Sequence, residues 1–236
     1  ESPDIYKIRR HLSGITGDDI YLNKSIPIFT EDAEARIFLN TLFDYFENAT
    51  DEFSSVRRFF HLVDANIGCT NLKSIFSDSY LLQTTMKCAC VLDGDQSQDM
   101  NKYIITLPGG DSPEKVIMSY AQMIYDNDST FWTNSTILEL NYGKAHFRDD
   151  VKPDIDDIDA QLRTLRESGE STHGKDRELR KKVFLKHQRF FELLFKHWVR
   201  DEENADAVNK FYKNLNIIFK KVAEFHGINP QLWTVR

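Results

Sequence analysis

Chain breakers are scarce: ten Gly and six Pro stand in 236 residues. That scarcity excludes a flexible linker or a low-complexity polypeptide and favours long packed elements. Three Cys (Cys69, Cys88 and Cys90) are too few for a disulfide framework, and an odd count leaves at least one thiol free. No stretch approaches the ~18 apolar residues of a membrane span, and the N-terminus lacks the positive-then-apolar pattern of a signal peptide. No membrane partner is expected, and cytoplasm or nucleus is the simplest compartment. Four N-x-[ST] sequons, at Asn23, Asn48, Asn127 and Asn134, keep secretion as an alternative. The chain opens Glu1-Ser2-Pro3 without Met, which reads as a piece of a longer protein. Walker-type, G-x-G-x-x-G, G-x-S-x-G, H-E-x-x-H and kinase patterns are all missing, so no cofactor and no metal site is expected.

What the chain has in quantity is phenylalanine, seventeen of them, which points to a core built from bulky rings. Helical spacing is clear in several places. Ser2-Pro3-Asp4 opens a short helix. Thr30 reads as the cap of a helix carrying Glu31 and Asp32 in its first turn and Ile37, Phe38, Leu42, Tyr45 and Phe46 on one face. Phe53 to Val63 and Leu72 to Met86 continue the pattern. Tyr103 to Leu107 is short and β-branched and predicts a strand, with Thr136 to Tyr142 as its partner in a two-stranded ribbon. Ser112-Pro113-Glu114 and Asp154 each open a further helix. Beyond the polar stretch 168–176, two long amphipathic patterns (177–200 and 204–226) predict an antiparallel hairpin.

The expected fold is therefore mainly α: an irregular helical domain with a minor two-stranded β ribbon (residues 1–167) and a C-terminal helical hairpin (residues 177–236), packed as one globular unit. Net charge is −7 overall but is divided, with −13 on residues 1–174 and +6 on 175–236. Such asymmetry marks either an anionic partner or two parts that lie against each other.

Three functional readings follow. By exclusion, the chain reads as a protein interaction or self-assembly domain, a homodimer or a scaffold, with Phe195 and Trp198 as anchors, since aromatics dominate interface hot spots. The second reading uses the basic helix. Arg180 and His187 enclose six residues, which resembles the R-x4-6-H pattern of the HEPN group of metal-independent ribonucleases, although Lys181 stands where that group has a small polar residue. The resemblance implies His187 as acid or base and Arg180 as charge stabiliser. Lys181, Lys182, Lys186 and Arg189 would then contact RNA phosphates. The third reading uses the turn 107–113. Leu107-Pro108-Gly109-Gly110-Asp111-Ser112-Pro113 resembles the phosphate loop of the sugar-phosphate deaminase and phosphogluconolactonase group, with Asp111 in place of Ser or Thr, and implies a phosphorylated ligand. Asp93-Gly94-Asp95-Gln96-Ser97-Gln98-Asp99 starts like a calcium loop but lacks its Gly and Glu, and reads as a polar loop. Cys88 and Cys90 read as two small buried thiols.

Overall fold

Four short apolar runs, Ile26–Thr30 (β1), Phe60–Leu62 (β2), Ala89–Leu92 (β3) and Ile104–Thr106 (β4), pair side by side into one sheet of order β2-β1-β3-β4. All three pairings are parallel. The computed structural model describes residues 24–78, 87–127, 129–172 and 174–235. The predicted helix at Ser2-Pro3 lies outside them, as does the stretch 79–86 of the predicted helix through Met86.

The two-stranded ribbon is thereby corrected to a four-stranded parallel sheet. Only β4 falls where a strand was predicted. The proposed partner, 136–142, begins as a helix, Ser135–Glu139, because Asn134 Oδ1 accepts from the N–H groups of Thr136 and Ile137 and caps it. Strands β1 and β3 are buried along their whole length. Strands covered on both faces read as unbroken apolar runs without alternation.

The chain divides into two compact units, one of residues 1–111 and 203–236, the other of residues 112–202. The first holds the sheet, the helices α1 (Ala33–Ala49), α2 (Asp51–Arg57) and α3 (Cys69–Ile75), and a later helix, Ala205–Val222. Phe29, Leu72, Phe76, Cys90, Leu92 and Ile104 form one buried cluster of this unit. Trp233 is fully buried among Phe53, Phe60, Tyr212 and Phe219. Its indole N–H donates to Tyr212 Oη at 2.9 Å, and its carbonyl accepts from Asn216 Nδ2 at 2.9 Å.

The second unit is helical: α4 (Pro113–Asp126), α5 (Ser135–Glu139), α6 (Lys152–Glu167), α7 (Lys175–Lys186) and α8 (Gln188–Trp198), with a π turn at Phe147–Val151 leading into α6. Phe190 packs on Phe131, Trp132 and Phe147 at its centre. The predicted C-terminal hairpin is corrected here. Its first arm is two helices, broken at His187 (φ −115°, ψ 26°), inside the second unit. Its second arm, α9 (Ala205–Val222), belongs to the first unit. Among the described residues no helix is long and apolar enough to cross a membrane.

Candidate functional site

Parallel order fixes where chemistry collects in the first unit. From β1 the chain proceeds to β2 on one side, and from β3 to β4 on the other. The loops after β1 and β3 therefore leave in opposite directions, which makes the carboxyl ends of these neighbours a topological switch point. Such switch points are where open parallel sheets bind ligands.

The residues at that point are acidic. Register pairs Thr30 with Val91, so Glu31 and Asp32 follow β1 beside the start of Asp93-Gly94-Asp95 after β3. Glu31 Oε1 accepts the Asp93 N–H at 3.0 Å. Glu31, Asp32 and Asp93 are 1%, 8% and 2% exposed. Asp32, not Thr30, caps α1: its Oδ1 accepts from Ala35 N–H at 3.0 Å. Thr30 closes β1, and its hydroxyl donates to the Asp32 carbonyl at 3.1 Å. The helix begins two residues later than its apolar face implies, which turns Glu31 from a first-turn helix charge into a strand-end carboxylate.

Two further loops close around this pair. Gly68, at φ 77°, donates its N–H to the Glu31 carbonyl at 3.1 Å and starts α3. The turn 93–96 is held by Gln96 N–H on the Asp93 carbonyl at 3.1 Å. The Gln96 side chain then has a fixed orientation. Its Nε2 donates to Asp95 Oδ1 at 2.7 Å, and its Oε1 accepts from Lys73 Nζ at 2.7 Å and from Cys69 Sγ at 3.1 Å. Burial pushes the Cys69 thiol above its ordinary pKa, the Glu31 charge adds to the rise, Lys73 opposes it and Asp93 adds again. The Cys90 thiol is raised well above its ordinary value by burial first, then by Cys88 and Glu31. Burial takes Cys88 to about 12. Cys88 immediately precedes β3 and Cys90 lies within it.

The turn after β4 arrives at the same end. Leu107 N–H donates to the Leu92 carbonyl at 2.8 Å, and Gly94 N–H donates to the Asp111 carbonyl at 3.1 Å. Gly109 and Gly110 take φ of 104° and 75°, a region that glycine enters without strain. Residues 107–111 thus pack backbone to backbone on the 93–96 turn.

The interface anchors and the basic-helix residues expected from the sequence lie in the second unit. Phe195 and Trp198 are 0% and 3% exposed. Arg180 Nε donates to Asp176 Oδ1 at 2.7 Å, with Asp159 at 3.8 Å. His187 Nε2 meets Asp154 Oδ2 at 2.5 Å, and Lys186 Nζ lies 2.6 Å from the same oxygen. Burial pushes the Asp154 carboxyl up, but the bonds from Lys186 and His187 outweigh it and hold its pKa below the usual range. Arg180 and His187 are thus engaged by different carboxylates. Lys181 Nζ is 3.8 Å from the buried Glu114, Lys182 Nζ 2.7 Å from Glu178, and Arg189 is exposed.

Sequence reasoning placed Glu31 and Asp32 in the first turn of a helix and Asp93, Asp95 and Gln96 in a polar loop, and it passed over Lys73. The available signal was an apolar run ending abruptly in acid, twice: Ile26-Pro27-Ile28-Phe29-Thr30-Glu31-Asp32 and Ala89-Cys90-Val91-Leu92-Asp93-Gly94-Asp95. No protein-family model, curated protein or solved structure matches the chain.

Proposed function

We propose that the first unit is a divalent-cation-dependent enzyme acting on phosphate esters. The observation that carries this reading is the buried Glu31 carboxylate bonded to the Asp93 main chain at the carboxyl ends of two adjacent parallel strands, at the switch point of the sheet. Carboxylates gathered at one end of a sheet form a strongly negative position that favours a divalent cation. Their oxygens are hard donors and suit Mg²⁺ or Mn²⁺, which keep open positions for phosphate oxygens and water.

Glu31 and Asp93 would hold the cation, with Asp32 and Asp95 beside them. A cation there would polarise a phosphoryl oxygen and make water a better nucleophile. In hydrolysis a water oxygen bonds to phosphorus, the ester P–O bond breaks, the departing oxygen takes a proton, and an alcohol and a less substituted phosphate remain. The turns 93–96 and 107–111 are tied to each other and to β3 by backbone hydrogen bonds, which hold Asp93 and Asp95 in place.

The test is Mn²⁺ titration by calorimetry, together with hydrolysis of bis(p-nitrophenyl) phosphate, for the wild type, Glu31→Gln and Asp93→Asn. Saturable binding that each variant weakens at least ~10-fold, with matching loss of turnover, is expected, given that even outer-shell changes at metal sites cost about that much. A wild type that binds no Mn²⁺, or variants that bind it equally well, would sink the reading.

A further inference from the structure

Lys73 is placed unusually for a lysine beside buried acids. Its ammonium is held at 2.7 Å by the amide oxygen of Gln96, a neutral group, although Glu31 and Asp93 act on the adjacent Cys69 thiol. The amide cannot turn over without loss, because its nitrogen is committed to Asp95 and its oxygen also receives the Cys69 thiol. Three other basic side chains of this unit have oxygen partners of their own: Arg36 on Ala65, Asn66 and Asp64, Lys102 on Ser77 and Asp99, and Lys221 on the Met100 carbonyl. An ammonium held by a neutral acceptor keeps its full charge for an incoming anion, whereas a carboxylate partner would cancel it.

We infer that Lys73, positioned by Gln96, is the substrate-binding residue that contacts the phosphate of a singly charged phosphodiester at the acidic edge of the sheet. This rests on the cation–phosphate reading of the same site. Cation and ammonium would grip different oxygens of one phosphate, the ammonium contributing binding and orientation. Gln96 acts through the groups it bonds, Lys73, Asp95, Cys69 and the Asp93 carbonyl, so it is a positioning residue.

The experiment measures Mn²⁺ affinity, and, with Mn²⁺ present, equilibrium binding and KM for bis(p-nitrophenyl) phosphate, in the full chain and in Lys73→Met, Lys73→Arg and Gln96→Glu. Lys73→Met is expected to weaken diester binding and raise KM about 10-fold, the worth of one charge-assisted contact, while Mn²⁺ affinity holds or rises. Lys73→Arg keeps the charge and recovers part of the loss. Gln96→Glu supplies the missing carboxylate: it pairs Lys73, weakens the diester and tightens Mn²⁺. This opposite movement of the two affinities is one that general damage to the fold does not produce. Unchanged diester binding in Lys73→Met, or a wild type that binds no diester, overturns the inference. Failure of Mn²⁺ binding in the wild type instead overturns the metal reading, and the Lys73 comparison is then made with diester alone.

Discussion

At the scale of single residues, Gly94 shows how tightly the candidate site is built. A Cβ on this residue would sit 2.8 Å from the Asp111 carbonyl oxygen and 2.9 Å from the nitrogens of Asp111 and Gly110. All three are backbone atoms, so no rotamer change relieves the contact. Gly94→Ala must push the 93–96 turn away from residues 107–111, and overpacking of this kind costs about 1–3 kcal/mol. The expected result is a lower urea midpoint together with weaker Mn²⁺ binding, because Asp93 and Asp95 move with the turn. A midpoint and affinity equal to wild type would show that the two turns are not locked together. Reading Asp93 to Asp99 as a polar loop recovers the turn itself. It does not recover its importance, which comes from the strand it follows and from Glu31 sixty-two positions away. Lys73 and Gln96 were illegible for the same reason: their meeting is a product of topology, and no local spacing encodes it.

At the scale of elements, helices were the legible part. Those at 33–49, 113–126 and 152–167 show the 3.6-residue period that half-buried helices must have. The buried strands β1 and β3 have no such period, since both faces are covered, and with five and four residues they are too short to stand out from neighbouring helical patterns. The predicted helix from Phe53 to Val63 illustrates the confusion: α2 ends at Arg57, and Phe60 to Leu62 become β2. The end of α9 meets the start of β3 through His226, whose Nε2 bonds the Lys87 carbonyl. Burial lowers the His226 pKa below its ordinary 6.5, and the bond to Lys87 offsets part of that fall. Above 6.5 the ring is neutral in both folded and unfolded chains and the shift has no effect on stability. As pH falls below 6.5 the unfolded ring takes up a proton more readily, so stability declines until the folded pKa is passed. Urea midpoints followed downward from pH ~7.5 through this window should fall less steeply in His226→Gln than in wild type. Parallel curves would show that this contact does not contribute to the acid sensitivity.

At the scale of the whole molecule, the order of the chain differs from the order of its parts. Residues 203–236 return to the unit that residues 1–111 begin, after the helical unit 112–202 has been completed. Charge division along the sequence therefore does not map onto two bodies, because the basic C-terminal stretch is shared between both units. This return has a consequence for the acidic edge, although Glu31, Asp32, Asp93 and Asp95 all lie within residues 1–111. Phe219 and Trp233 cover Phe60, Tyr212 lies against Phe46 and Phe53, and Lys221 holds the Met100 carbonyl in the connection between β3 and β4. Truncating one buried Phe or Trp typically costs about 3–5 kcal/mol, and a whole domain is stable by only about 5–15 kcal/mol. A chain ending at Glu202 loses Phe211, Phe219 and Trp233 together, so the sheet should not survive. Its Mn²⁺ binding should vanish, and its far-UV helical signal should fall by more than the 18 residues of α9, because α1 and α2 lose the surface they pack on. A truncated chain that binds Mn²⁺ as the full chain does would mean that the sheet and its acidic edge stand without the returning segment. The parallel core would then be complete in the first 111 residues.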